Sequence, residues 1–199
     1  EQKVQRFAQK EDLAKHKCTI EEMEEYEPHI DRGRVIYAGV DYEAILREAE
    51  KEADIVLWDG GNNDTPFYKS DLEIVVVDPH RPNHELQYYP GETNFLRADI
   101  IVINKMDSAD PEKVKIIEEN AKKYNPNAQI IKANSKLTVD DENVIKDKAV
   151  LVIEDGPTLT HGEMKIGAGT VAAERFGAKK LIDPRPWTVG TISDTFKKY

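Results

Sequence analysis

Ile100-Ile101-Val102-Ile103-Asn104-Lys105-Met106-Asp107 sets four consecutive aliphatic residues directly before an amide, a cation, a thioether and an acid. An aliphatic run with no polar face reads as a strand buried on both sides, as in a parallel sheet covered by helices. The polar residues that follow then fall at the carboxyl edge of the sheet, where open α/β folds bind their ligands. A carboxylate at that edge can accept two hydrogen bonds from guanine, one from N1–H and one from the amino group, a pair of donors that adenine does not present. Asp107 is therefore the candidate base discriminator, Asn104 reaches the other edge of the base, and Lys105 lays its stem over the base or ribose plane. The alternative is a polar turn ending a strand.

Outward from this stretch the same pattern repeats. Val35-Ile36-Tyr37, Ile55-Val56-Leu57-Trp58, Ile74-Val75-Val76-Val77, Ile130-Ile131 and Val150-Leu151-Val152-Ile153 read as further buried strands. Helices fit between several of them. One runs from Tyr42 to Glu52 behind the cap Asp41, another from Pro111 to Tyr124 with proline at its first position, and a third from Ala168 to Phe176, stopped by Gly177. Thr19-Ile20-Glu21-Glu22 has the form of a capping box opening a charged helix, and Gln2 to Lys15 is ambiguous between helix and loop. Together these predict an α/β fold with a doubly wound, mostly parallel sheet. A polar stretch from Ser135 to Lys148 suggests a division into residues 1–140, a nucleotide-binding domain, and residues 141–199, a C-terminal α/β segment.

Other strand ends carry chemistry of their own. Ala133-Asn134-Ser135 follows the next strand, and small residues there let backbone N–H groups approach the guanine carbonyl oxygen, unless they form a simple turn. Asp59 ends an aliphatic run and is followed by Gly60-Gly61, so it is the candidate ligand of Mg²⁺ and a catalytic residue, with Gly61 close to a phosphate; the alternative is a capped Gly-rich turn. Arg81 and His84, in Asp78-Pro79-His80-Arg81-Pro82-Asn83-His84-Glu85, are candidates for a phosphorylated substrate, or else belong to a proline-stiffened surface loop. Downstream, Asp155, His161, Gly162, Gly167 and Gly169 surround the start of a helix, where N–H groups and the helix dipole favour an anion. His161, the second candidate catalytic residue, and Asp155 are able to move protons or orient a nucleophile there, the alternative being a flexible structural loop.

Composition narrows the partners. With 28 Lys and Arg against 38 Asp and Glu, the net charge of −10 argues against a nucleic-acid surface, which needs clustered cations. No aliphatic run reaches the roughly 18 residues of a membrane span, so the reading is a soluble, cytoplasmic protein. The single Cys18 permits no internal disulfide. Charged residues form 33% of the chain, a composition seen in heat-tolerant proteins with surface ion-pair networks. Nowhere does Gly-x-x-x-x-Gly-Lys-Ser/Thr occur, and the first residue is Glu1. Backbone N–H groups of that loop and its Lys hold nucleotide phosphates, so the loop is expected upstream of this chain.

The strand-end stretches Asp59-Gly60-Gly61-Asn62-Asn63-Asp64 and Asn104-Lys105-Met106-Asp107 resemble the SIMIBI division of P-loop GTPases and ATPases. Adding Asp78-Pro79-His80-Arg81-Pro82, Tyr88-Tyr89-Pro90-Gly91-Glu92-Thr93-Asn94 and Glu154-Asp155-Gly156-Pro157-Thr158-Leu159-Thr160-His161-Gly162, nearly the whole chain resembles a prokaryotic family of predicted GTPases known as cyclic 2,3-diphosphoglycerate synthetases. Glu163 and Lys165 depart from that pattern. The resemblance implies an enzyme that consumes a nucleoside triphosphate with Mg²⁺ and acts on a small phosphorylated acid. It implies ATP, where Asp107 implies GTP. The alternative is a regulatory or metallochaperone-type GTPase in which residues 155–169 form a surface for a protein partner or a homodimer.

Overall fold

A computed structural model describes residues 2–60, 64–154 and 167–198 of the chain. Strand β1 (Gln5–Phe7) pairs antiparallel with β2 (Ile36–Ala38), placing Phe7 opposite Ile36. Helices α1 (Lys10–His16) and α2 (Ile20–Ile30) lie between them in sequence, and Phe7, Leu13 and Ile30 form the small core beneath. Helix α2 starts as its capping box requires: the Thr19 hydroxyl accepts the Glu22 N–H at 3.3 Å, and the Glu22 carboxylate accepts the Thr19 N–H at 2.7 Å. Asp41 caps α3 (Tyr42–Ala49) by accepting the Ala44 N–H at 3.1 Å.

The element that positions the site is a parallel sheet of β3 (Ile74–Val77), β4 (Ile100–Ile103) and β5 (Gln129–Lys132), with β4 in the centre. Val77 is in register with Ile103 and Ile103 with Lys132, so the carboxyl ends of the three strands are level. Ile101 and Ile103, two residues apart, point to one face and are fully buried. On that face pack Phe95 of α4 (Gly91–Arg97) and Val114, Ile117 and Ala121 of α5 (Pro111–Tyr124). The spacing of those three residues makes one apolar stripe along α5. The helix begins at Pro111, where a missing N–H costs nothing, and the Asp110 carboxylate accepts the Glu112 N–H at 3.0 Å. A second parallel ladder joins β6 (Ala149–Val150) to β7 (Lys180–Leu181), with α6 (Ala168–Arg175) between them in sequence and α7 (Gly190–Lys198) after them.

An α/β fold built on a parallel sheet agrees with the sequence expectation; a single sheet covered on both sides does not. The described residues form separate ladders of two, three and two strands, and the first is antiparallel. On the second face of the central sheet Ile74 and Val76 remain 54% and 62% exposed. The run from Ile55 to Trp58 forms no regular element and joins no ladder among the described residues, and its Ile55 and Leu57 are exposed. Aliphatic residues make such a segment competent to be a strand, but a strand also needs a neighbour to take its backbone hydrogen bonds. No helix among the described residues is long and apolar enough to cross a membrane.

Candidate nucleotide site at the sheet edge

Because the three strands end level, the residues after them meet at one edge. The Asn104 N–H donates to the Val77 carbonyl at 3.2 Å and the Ala133 N–H to the Ile103 carbonyl at 2.9 Å, so the ladder extends one residue into each loop. The Met106 N–H then donates to the Ala133 carbonyl at 3.0 Å, folding the loop after β4 against the loop after β5. Lys105 makes that reversal in the left-handed region, with φ of 55°. This conformation is uncommon for a residue with a Cβ and persists where surrounding bonds hold it. Here the Lys105 carbonyl accepts from the Ser108 N–H at 3.1 Å and the Ser108 hydroxyl at 3.3 Å.

The expected base-reading residues are brought together. The Asp107 carboxylate is at the surface and accepts the Ser135 N–H at 3.3 Å, so the acid is steadied by the neighbouring loop, with Asn134 exposed beside it. The half-buried Lys105 ammonium donates to Asp78 Oδ2 at 2.8 Å. Asp78, the first residue after β3, also accepts from Arg81 Nη2 at 3.2 Å and from the His80 N–H at 3.0 Å. Burial alone would raise the Asp78 pKa, but the bonds from Lys105 and His80 and the nearby charges of Lys105 and Arg81 outweigh it and hold the group below the usual carboxylate range. His80 Nε2 lies 3.0 Å from the Ser108 hydroxyl, a second link between the same two loops. Arg81 thus lies at this edge engaged with Asp78, whereas His84 sits in a 3₁₀ turn with its ring edge-on to Tyr88 at 5.2 Å.

Asp59 is held differently. Trp58 before it packs on Tyr68 at 4.9 Å and Tyr42 at 5.4 Å, which fixes the segment leading to Asp59 without a ladder. A side chain at Gly60 would come within 2.9 Å of the Trp58 indole nitrogen, which explains a glycine there. Asp59 itself is exposed, and no group of three or more His, Cys, Asp or Glu among the described residues could hold a metal by itself. A solitary accessible carboxylate nonetheless suits Mg²⁺, which takes one or two protein carboxylates and fills its octahedron with phosphate oxygens and water. Gly61, Asp155, His161 and Gly162 lie outside the described residues.

The family model for the P-loop domain of cyclic 2,3-diphosphoglycerate synthetase matches residues 32–134, just over half of the chain, a span that includes β3, β4, β5 and the loop from Asn104 to Asp107. The chain belongs to the cyclic 2,3-diphosphoglycerate synthetase family. The arginine synthetase ArcE of Thermococcus kodakarensis is 66% identical over 198 residues, which cover 100% of this chain and 44% of that protein. A cyclic 2,3-diphosphoglycerate synthetase of Thermococcus sibiricus is 34% identical over 86 residues, 43% of this chain and 20% of that protein. The chain therefore spans less than half the length of these relatives.

Within this member of the cyclic 2,3-diphosphoglycerate synthetase family, two charged residues that the sequence reading passed over are prominent. Asp78 is one; a strand-end acid level with Asn104, the residue before Lys105, one strand away is the signal that could have found it. Glu154 is the other. Its carboxylate accepts N–H groups of Gly169 at 3.1 Å and Thr170 at 2.7 Å, together with the Thr170 hydroxyl at 2.6 Å. The N–H groups expected at Gly167 and Gly169 to hold a ligand anion are thus turned to a carboxylate of the chain itself. A cavity of about 670 Å³ lies apart from the sheet edge, lined in part by Arg6, Tyr37 and Arg47. Arg6 is paired with Glu52 and Arg47 with Glu50, so those guanidinium charges are already neutralised.

Proposed function

We propose that this chain is the nucleotide-binding region of a Mg²⁺-dependent synthetase, reading guanine at the edge formed by Asn104, Lys105, Asp107, Asn134 and Ser135. The observation that carries this reading is the Ser135 N–H bond to Asp107 Oδ1, which joins the two loops that a base would sit between and steadies the acid. In this reading Asp107 accepts from N1–H and the amino group of guanine, Asn104 bonds the opposite edge, and the stem of Lys105 covers the ring. Asp59 holds Mg²⁺ through water, and the ion when bound neutralises charge on the β and γ phosphates. Arg81, which pairs with Asp78 at this edge at 3.2 Å, meets an anionic group of the substrate in this reading.

For the product we favour arginine, formed with nucleotide cleavage, because identity to the arginine synthetase extends over the whole chain at 66%, whereas the 34% match to a cyclic 2,3-diphosphoglycerate synthetase covers 43% of it. A second reading, a small phosphorylated acid, draws on the family's name and on Arg81. Calorimetric titration of the intact polypeptide, loaded with Mg²⁺ and nucleotide, with arginine and separately with 2,3-diphosphoglycerate separates them. Saturable heat from arginine alone supports the first reading. Saturable heat from diphosphoglycerate alone supports the second and overturns the first.

A further inference from the structure

The Asp78 carboxylate is the point where two functional loops meet. Its side chain is 20% exposed, and its oxygens receive three donors: Lys105 Nζ at 2.8 Å and Arg81 Nη2 at 3.2 Å on Oδ2, and the His80 N–H at 3.0 Å on Oδ1. One donor belongs to the loop after β4 and two belong to the loop after β3 itself. The register of β3 on β4 makes the meeting possible, because Val77 and Ile103 end their strands at the same level. Asp78 is therefore tied to the level of Asn104, the residue before Lys105, while Lys105, in its left-handed turn, has a long side chain with several rotatable bonds to anchor.

A lysine ammonium at a nucleotide site can act in two ways. It can serve as a free cation for phosphates, or its hydrocarbon stem can lie against the base and ribose while the charged end is held elsewhere. The Asp78 contact bears on that choice, since an ammonium already bonded to a half-buried carboxylate is neutralised and fixed in place.

We propose that Asp78 is a positioning residue for nucleotide recognition: it pins the Lys105 ammonium, so that Lys105 acts on the base and ribose through its stem and not on the phosphates through its charge. This rests on the base-reading assignment above. Ordering the Lys105 chain before the ligand arrives removes an entropic cost from binding, because a lysine carries much rotamer freedom when unanchored. The Asn104 N–H bond to the Val77 carbonyl, at 3.2 Å, joins the same strand ends without Asp78, so loss of Asp78 frees Lys105 without releasing the two loops.

The test is calorimetric titration of GMP, GDP and GTP into the intact polypeptide and into its Asp78→Asn, Asp78→Glu, Lys105→Met and Asp78→Asn/Lys105→Met variants, with melting curves as the control for folding. Asp78→Asn is expected to weaken all three nucleotides by the same factor, about tenfold, the scale of one ordered lysine lost. Asp78→Glu should recover part of that loss, and the double variant should bind no worse than Lys105→Met alone. A Lys105→Met loss that grows from GMP to GTP overturns the proposal, as does Asp78→Asn binding within twofold of wild type, tighter GTP binding by Asp78→Asn, or additive losses in the double variant. Should Asp78→Asn not fold, the Lys105→Met series across the three nucleotides decides alone. Asp107→Asn in parallel distinguishes the failures: if it too leaves guanine binding unchanged, the base reading falls, and if it alone weakens binding, only the role of Asp78 falls.

Discussion

Glu154 caps the helix that follows it from 16 residues away: one carboxylate oxygen accepts both the backbone N–H of Thr170, at 2.7 Å, and its hydroxyl, at 2.6 Å. The second oxygen takes the Gly169 N–H at 3.1 Å, so a full negative charge sits on the amino terminus of α6. The glycines there follow from this contact. A Cβ on Gly167 would collide with the Glu154 carboxylate, and one on Gly169 would come within 2.8 Å of Val152 Cγ1. Replacing Glu154 by Gln should cost about 2 kcal/mol in denaturant unfolding, the usual worth of hydrogen bonds to a charged group. Gly167→Ala should cost a similar amount by displacing the same carboxylate, and the two changes together should cost much less than their sum. Additive losses would show that Gly167 and Glu154 act separately.

Acid should weaken the protein through Glu52. Hydrogen bonds from Arg6, at 2.7 and 2.6 Å, and then from the Tyr37 hydroxyl bring the Glu52 pKa down from 4.5 to about 2. A carboxyl group whose pKa is depressed by folding contributes stability that is fully present above its unfolded value and is lost as pH falls through its folded value. The window is therefore from 4.5 down to about 2. Glu154, also held below the usual range by its Thr170 and Gly169 bonds in spite of burial, adds loss of the same sign. Unfolding midpoints followed across that window should fall less steeply for Glu52→Gln than for wild type. Parallel slopes would contradict the assignment.

Asn125 joins two helix ends in the core. It ends α5, is 8% exposed, and its amide donates to the carbonyls of Phe95 at 3.0 Å and Ala98 at 2.8 Å, which close α4. Asn125→Ala would leave both carbonyls buried without this donor, a loss of about 1–3 kcal/mol. Asn125→Asp should be worse, because it sets a carboxylate against those carbonyls. Thermal melts of both variants check the order, and an Asp variant as stable as wild type would refute it.

How much of this was legible beforehand depends on where each interaction is written. The strands at Ile74, Ile100 and Ile130, the helix from Pro111 to Tyr124 and the caps Thr19 and Asp41 are specified by neighbours within a few residues, and the structure has them where the text places them. Ile55 to Trp58 carries the same aliphatic signal yet forms no ladder among the described residues, because strand pairing depends on a partner that the run itself does not specify. The edge position of Asn104 to Asp107 was readable from the strand before it. The contacts of Asp78 with Lys105 and of Glu154 with Thr170 were not, since they depend on strand register and on a return of the chain across 27 and 16 residues.

The base preference tests the central claim most directly: GTP, ATP and XTP competing for the intact polypeptide, wild type and Asp107→Asn. Wild type should prefer GTP. In the variant the amide oxygen can still accept from N1–H but the amide NH2 is set against the guanine amino group, so guanine should bind worse by on the order of 2 kcal/mol or more. Xanthine carries a carbonyl where guanine has its amino group, so the variant should turn to XTP. A wild type that prefers ATP, or a variant that keeps its preference for GTP, would contradict guanine reading by Asp107.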